Sequence, residues 1–457
     1  MKLPDTTDTI AAQATPPGAG ALAIIRISGP AAFSAAASFL SPAPLRPEHA
    51  AARLLSVKDK GVLIDRAVVV FFRGPASYTG DDTVEITCHG SPYIIRTLLN
   101  LAVKNGARPA EPGEFTLRAF LNGKMDLAQA EAVGELIAAG TAGAHRAAIT
   151  QAEGRLSEEI NSIRTGLVRL LAQIEARLDD SYEEIPPLEI KAFARTASAS
   201  GKKAASLASG FEAGRGIREG LKVVITGAPN SGKSSLLNAL LGYDRAMVSR
   251  QAGTTRDTLE ASLDIDGFSV LFTDTAGLNT RAASVLEREG IKRAEKAISI
   301  ADAIVLVKDA SIKETSSDRR TETEAARLAL KSARLIRVLN KSDLPSKRAL
   351  CSAGCLKVSA KTGSGLPGLK AALIAEQRKI FRDGAQAVVT SARHFAALSD
   401  AARELSRLEA LMKKKKPPLE LAAEHLRAAL DALGSISGET APEEILESIF
   451  KNFCVGK

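Results

Sequence analysis

The chain has 457 residues, 45% of them hydrophobic and 25% charged. That is the composition of a folded protein too long for one core, so about two to four domains are expected. No apolar run approaches the roughly 18 residues of a membrane span, and Met1-Lys2-Leu3-Pro4-Asp5-Thr6 lacks the apolar stretch of a secretory leader, which excludes a membrane role and leads to an expected cytoplasmic location.

The formal net charge of +9 favours a polyanionic partner. With no Trp and only 4% aromatic residues, a base-stacking platform is not evident, so any RNA contact would work through charge and shape. The densest basic run, Lys413-Lys414-Lys415-Lys416, precedes Pro417-Pro418 and reads most simply as a solvated loop between helices. Of the four cysteines, Cys88 is expected to be buried. Cys351 and Cys355 lack the second pair or the histidines of a zinc site and read as incidental.

In chain order, the first 120 or so residues alternate short apolar runs with turns. Leu22 to Ile27, Ala67 to Phe72 and Thr83 to Cys88 read as strands, with helical patterns at Ala31 to Leu40 and Tyr93 to Asn105. This is an α+β domain. Its turn-rich stretches Thr15-Pro16-Pro17-Gly18, Tyr78-Thr79-Gly80-Asp81-Asp82 and Glu111-Pro112-Gly113-Glu114-Phe115-Thr116 either line a site or are tight loops.

Beyond Asp126 the texture becomes Ala-rich helix. Leu156, Ile160, Ile163, Leu167, Leu170 and Ile174 lay one apolar stripe along a long helix, which implies a bundle. The helical pattern resumes from Leu188 to Glu212, breaks at Gly214, Gly216 and Gly220, and returns at Phe395 to Met412, Leu419 to Leu433 and Glu443 to Phe453, with breaks at Gly434 and Gly438. The expected architecture is therefore an N-terminal domain (1–120), a helical domain in two parts (121–219 and 381–457) and an inserted Ras-like α/β P-loop domain (220–380).

The insert carries five nucleotide-binding elements in a fixed order. Val223-Val224-Ile225 leads into Gly227-Ala228-Pro229-Asn230-Ser231-Gly232-Lys233-Ser234, a strand, a phosphate loop and then a helix. Backbone N–H groups of such a loop point at phosphate oxygens, Lys233 reaches the β/γ-phosphates, and Ser234 holds Mg²⁺. Asn230 to Ser235 are thus candidate nucleotide contacts. Gly253-Thr254-Thr255 supplies a threonine, Thr255, to complete the Mg²⁺ shell. Asp274-Thr275-Ala276-Gly277 meets Mg²⁺ and the γ-phosphate. In Asn340-Lys341-Ser342-Asp343, the Asp343 carboxylate can accept guanine N1–H and N2–H₂, a donor pair absent from adenine, so the nucleotide is GTP. Ser359-Ala360-Lys361 completes the base pocket. The residue after Gly277 is Leu278, where Ras-like proteins have the glutamine that orients water, so hydrolysis needs another polar residue.

These elements, together with Ala14 to Gly18, Arg26-Ile27-Ser28-Gly29, Cys88-His89-Gly90, Pro112 to Phe115, Ala119 to Lys124, Asp126 to Glu131 and the terminal Phe453-Cys454-Val455-Gly456-Lys457, resemble the MnmE (TrmE) family of tRNA uridine-modification GTPases over essentially the whole chain. The resemblance implies a homodimer built through N-terminal domains of a tetrahydrofolate-binding kind, and a FAD-containing partner, MnmG (GidA), in a heterotetramer. Together these would add a carboxymethylaminomethyl-type group to C5 of the wobble uridine of certain tRNAs.

A reduced folate, 5-formyl- or methylene-tetrahydrofolate, is implied as ligand of Arg26, Glu85, Lys124 and Lys457. In place of an arginine finger the resemblance implies K⁺ held by Asn230, Ser249, Gln251 and Thr254, and it implies Glu287 as the residue that positions water, which answers the Leu278 problem. Cys454 is either a thiol for the modification chemistry, flanked by Lys451 and Lys457, or a packing residue. The five G elements alone fit a non-catalytic GTP switch in RNA or ribosome assembly equally well, and a folate enzyme regulated by GTP is a third possibility. The N-terminal domain and the Cys-Val-Gly-Lys tail weigh against the switch, and the lack of an evident acid/base pair weighs against the folate enzyme.

Overall fold

The computed structural model describes residues 6–43, 48–178, 186–243, 260–274, 301–329, 333–347, 354–382 and 387–457. The chain forms two compact units. One comprises Met1–Gly134, Ala152–Ser200 and Arg403–Lys457, the other Glu135–Gln151 and Gly201–Ala402. Among the described residues no helix is long and apolar enough to cross a membrane.

The first unit opens with β1 (Thr9–Gln13), β2 (Leu22–Ser28), α1 (Ala32–Ala37), β3 (Leu40–Ser41), β4 (Ala52–Asp59), β5 (Val62–Phe72), β6 (Thr83–His89), α2 (Pro92–Lys104), β7 (Ala107–Pro109) and α3 (Glu114–Leu121). The strands make one sheet in the order β3-β4-β5-β6-β2-β1-β7, antiparallel except for β1 against β7. Alternation decides the faces: Val84, Ile86 and Cys88 of β6 point into the core with Ile25, Ile27, Leu98 and Phe71, while Glu85, Thr87 and His89 face the other way. On that second face Leu22, Leu54 and Val68 are exposed. The expected strand over Ala67 to Phe72 extends back to Val62, where it pairs with β4, a strand the sequence patterning does not reveal.

The helices follow as α4 (Leu127–Ala138), α5 (Ala142–Ala152), α6 (Arg155–Leu178), α7 (Ile190–Ser209) and α8 (Phe211–Glu219). The stripe from Leu156 to Ile174 on α6 is buried throughout, each such side chain stabilising the fold by about 1.5–3 kcal/mol.

The second unit's sheet contains β8 (Leu221–Thr226), followed by α9 (Lys233–Tyr243), β9 (Glu260–Ile265), β10 (Phe268–Asp274), β11 (Ala303–Asp309), α10 (Ser316–Ala329), β12 (Arg334–Asn340), β13 (Cys355–Lys357), α11 (Leu366–Leu373) and α12 (Ala375–Arg382). The strand order is β13-β12-β11-β8-β10-β9, with only β9 antiparallel to its neighbour. Buried on both faces, β11 reads as an unbroken apolar run up to Val307. Three helices complete the chain: α13 (Ala392–Met412), α14 (Leu419–Ser437) and α15 (Glu443–Phe450). Within the first unit α14 lies antiparallel to α6, with ion pairs Arg164–Glu439 and Arg427–Glu175.

Three expected helix breaks are absent. Gly214 and Gly216 lie inside α8, where a Cβ on Gly214 would stand 2.2 Å from the Val389 carbonyl oxygen, so the glycine permits close approach and does not end the helix. Likewise α14 runs through Gly434 and stops at Gly438, which takes the left-handed conformation of a helix C-terminus. Cys88 is buried as expected, its thiol donating to the Ala23 carbonyl. Cys355 is disulfide-bonded, against the expectation that it is incidental; Cys351 lies outside the described residues.

Candidate functional site

In the second unit the loops after β8, β11, β12 and β13 converge at the carboxyl ends of parallel strands, where ligands bind in such sheets. The loop from Gly227 to Gly232 turns tightly against its neighbours: a Cβ on Gly232 (φ +91°) would lie 2.3 Å from Asn340 Nδ2. Asn340 ties three elements together. Its Nδ2 donates to the Ser231 carbonyl at 3.1 Å, and its Oδ1 accepts the Ala360 N–H at 3.1 Å. Lys341 Nζ donates to the Asn230 carbonyl at 3.0 Å and to Asp309 Oδ2 at 2.6 Å. Lys233, at the first position of α9, donates to the Gly227 and Ala228 carbonyls, both at 3.0 Å, on the loop expected to cradle phosphate.

Asp343 is oriented by Ser359, whose hydroxyl donates to Oδ1 at 2.6 Å. That hydrogen bond is the main cause of a carboxyl held below its usual range, so the group is an acceptor at neutral pH. The hydroxyls of Ser234 and Ser235 are exposed at the start of α9. The structure therefore gathers Asn230 to Ser235, Asn340, Lys341, Asp343 and the Ser359-Ala360-Lys361 segment around one crevice. Ser249, Gln251, Gly253, Thr254, Thr255, Thr275, Ala276, Gly277, Leu278 and Glu287 lie outside the described residues. Of Asp274, only its place at the end of β10 is described.

In the first unit a second cluster joins the two ends of the chain. Arg26 on β2 and Glu85 on β6 are cross-strand partners, with Nε and Nη2 of Arg26 at 2.9 and 2.7 Å from one Glu85 oxygen. Arg26 Nη1 donates to the Gly456 carbonyl at 3.2 Å, and the guanidinium lies 5.4 Å from the Tyr78 ring and 5.5 Å from the Phe115 ring. The tail is threaded beside α3: Val455 bridges Pro112, Gly113 N–H donates to the Cys454 carbonyl at 3.4 Å, and Phe115 N–H donates to the Lys457 carbonyl oxygen at 3.2 Å. Only glycine fits at 456 (φ +97°), because a Cβ would stand 2.2 Å from the Gln13 carbonyl oxygen.

Burial, followed by the Arg26 charge, holds the Lys457 ammonium below its usual range. Cys454 is exposed and free. Lys451 pairs with Glu447 at 3.4 Å. Lys124 donates to the Pro75 carbonyl at 2.8 Å, on the loop that carries Tyr78, and none of its contacts is to Arg26 or Glu85.

Sequence patterning does not reveal what holds α3 in place. Glu114, 1% exposed, accepts Arg108 at 2.8 and 2.6 Å, Arg118 at 2.9 Å and the Glu111 N–H at 2.9 Å, and the fully buried Arg118 also donates to Asp8 at 2.5 Å. The only advance signal is that Glu114 and Arg118 fall in and just after a turn-rich stretch. Asp309 gives none beyond ending an apolar run. His89, on the face shared with Glu85, is likewise held by the mostly buried Asp65 at 2.8 Å.

Comparison with known proteins agrees over the whole chain. The family model described as GTP-binding protein TrmE N-terminus matches residues 9–124, and that described as MnmE helical domain matches residues 127–454. The tRNA modification GTPase MnmE of Akkermansia muciniphila is 41% identical over 99% of this chain and 100% of its own length. The proteins of the same name from Chlorobium phaeobacteroides (40%; 98% and 97%) and Aquifex aeolicus (39%; 98% and 100%) are similar to it to nearly the same degree.

Proposed function

The chain belongs to the MnmE family of tRNA modification GTPases, and on that premise we propose that it works as a homodimer with the FAD-containing MnmG (GidA) to add a carboxymethylaminomethyl-type group to C5 of the wobble uridine of certain tRNAs. It is a GTP hydrolase acting in tRNA modification. The observation that carries the finer reading is the meeting of Arg26, Glu85 and the Gly456-Lys457 tail, residues from opposite ends of the chain, in one half-buried cluster. A plain GTP switch has no use for it.

The residues fit a reduced folate, 5-formyl- or methylene-tetrahydrofolate. Arg26 and Lys457 suit its carboxylates, and Glu85 suits the N–H donors of a pterin. Lys124 belongs to this site only if the Pro75 loop shifts toward Arg26. The folate when bound would supply a one-carbon unit, and we assign Cys454, an exposed free thiol two residues before Gly456, to the chemistry on it. The exposed apolar side chains Leu22, Leu54 and Val68 on the second sheet face support the homodimer. We assign 1–120 to the folate-binding and dimerisation domain, 121–219 and 381–457 to the helical domain and 220–380 to the GTPase domain.

In the GTPase domain Asp343 accepts the two guanine donors, the loop N–H groups and Lys233 bind phosphate oxygens, and the Ser234 hydroxyl with Thr255 would hold Mg²⁺. The Asn230 amide oxygen, a neutral hard donor on an exposed residue, fits K⁺, together with Ser249, Gln251 and Thr254. K⁺ when bound supplies positive charge where phosphoryl transfer develops negative charge. Glu287 positions the water that Leu278 cannot.

The test is mass spectrometry of tRNA nucleosides from cells lacking this chain. Unmodified wobble uridine is expected, restored by the wild-type gene, whereas normal nucleosides in the deletion would sink the reading. With purified protein, K⁺ should stimulate GTP hydrolysis. Glu287→Ala should nearly abolish turnover while nucleotide affinity is kept.

A further inference from the structure

Asp309 stands at the carboxyl end of β11 beside the phosphate loop, yet it belongs to none of the five nucleotide elements. Both oxygens of its carboxylate are engaged. Oδ2 accepts Lys341 Nζ at 2.6 Å, and Oδ1 accepts both the N–H and the hydroxyl of Ser311, at 2.8 and 2.7 Å. Burial works to raise its pKa, but the bonds from Lys341 and Ser311 hold it below the ordinary carboxylate range, so it is charged at neutral pH.

Lys341 uses the same ammonium to donate to the Asn230 carbonyl at 3.0 Å, the only hydrogen bond Asn230 makes among the described residues. Both ends of that bond are unusual. Asn230 (φ +60°) and Lys341 (φ +62°) are non-glycine residues in the left-handed region, which side chains other than glycine seldom adopt and which persists where the surroundings enforce it.

From this chain of contacts, Ser311 to Asp309 to Lys341 to Asn230, we infer that Asp309 is a positioning residue for the monovalent cation: by anchoring Lys341 it sets the backbone of Asn230, and so the direction in which the Asn230 amide oxygen is presented. The inference rests on the K⁺ reading above. Two effects act in the same sense. Without the carboxylate, Lys341 is free to release Asn230, and its positive charge, no longer balanced, repels a cation at the loop. The role inferred for Asp309 is to hold Lys341 and not to bind the cation itself: Lys341 engages its Oδ2 and Ser311 its Oδ1.

The experiment uses the full chain and a fluorescent, non-hydrolysable GTP analogue, titrated with KCl at constant ionic strength set by choline chloride. The K⁺ concentration at half effect is read from analogue binding and, separately, from GTP hydrolysis. Asp309→Asn is expected to raise that midpoint about tenfold in both readouts, equivalent to about 1.4 kcal/mol, with GDP affinity in the absence of K⁺ little changed. Ser311→Ala should move it in the same direction by less, and Asp309→Glu should recover part of the loss.

A weakened GDP affinity with an unmoved K⁺ midpoint would mark a merely structural ion pair and overturn the inference. If Asp309→Asn does not fold, Ser311→Ala decides alone, and an unchanged midpoint there overturns it equally. If the wild-type protein shows no K⁺ response in either readout, the cation reading itself is wrong and the inference falls with it. A wild-type response that no variant shifts removes only the role of Asp309.

Discussion

Replacing Glu114 with Gln keeps the shape of the side chain and removes its charge, which tests whether the buried ion cluster is what holds α3 and the docked tail. Glu114 and Arg118 are both fully buried and 2.9 Å apart, and Glu114 also takes two hydrogen bonds from Arg108. Breaking a buried pair from one side leaves the other charge uncompensated, at a cost of about 3–5 kcal/mol. Asp8 still faces Arg118, so the lower end, about 3 kcal/mol, is expected. For a unit of this size that corresponds to a fall in melting temperature of roughly 6–12 °C.

Thermal unfolding followed by circular dichroism measures the loss. Hydrogen exchange of the Gly113 and Phe115 amides, which donate to the Cys454 and Lys457 carbonyls, reports whether the tail loosens with it. The pH dependence has a definite sign. Burial works to raise the Glu114 pKa, but the bonds from Arg108, Glu111 N–H and Arg118 hold it below the ordinary range. The stabilisation is therefore complete above the unfolded value of about 4.3 and is lost as pH falls through the folded value. Glu114→Gln should flatten that acid limb. A variant that melts within about 1 °C of wild type, or keeps the same acid limb, would refute the argument that this cluster is stabilising.

Further outcomes can be checked at the two sites. Gly456→Ala forces a Cβ against the Gln13 carbonyl, so the tail should leave α3, with faster exchange at Phe115 and weaker binding of 5-formyl-tetrahydrofolate by calorimetry. Arg26→Ala strands Glu85 and should weaken the same ligand by about 2 kcal/mol or more, roughly thirtyfold in Kd; an unchanged Kd would remove Arg26 from the site. Asp343→Asn loses the acceptor for both guanine donors and should reduce GTP affinity by at least about 10²-fold, with xanthosine triphosphate binding gained in its place. Of the two free cysteines among the described residues, iodoacetamide at pH 8 should label Cys454 and spare Cys88, whose thiol is pushed up to about 11 by burial, as peptide mass mapping would report.

Local chemistry carried much of this protein's description. A glycine-rich loop between an apolar strand and a helix can be read from neighbouring residues because its function is performed by backbone N–H groups whose direction the local sequence sets. The same holds for the α6 stripe, whose buried residues follow from helical period alone. Where the sequence misled, the missing fact was a neighbour distant in the chain. Gly214 looks like a helix break until the Val389 carbonyl is seen lying against it, and the alternation of β4 is blurred because the apolar Leu54 sits on its outward, exposed face.

The two site features that patterning does not reveal have the same cause. Glu114 and Asp309 are single carboxylates whose partners, Arg118 and Asp8 in one case and Lys341 and Asn230 in the other, are brought to them only by the packing of separate strands and helices. By itself the sequence determined the reading of a GTP-binding chain, since the phosphate-loop pattern and the Asn340-Lys341-Ser342-Asp343 element each lie within one short segment. Only the tertiary structure decided that Arg26 and Glu85 meet the Gly456-Lys457 tail, because a sheet register and a threaded C-terminus bring together residues that no sequence spacing relates.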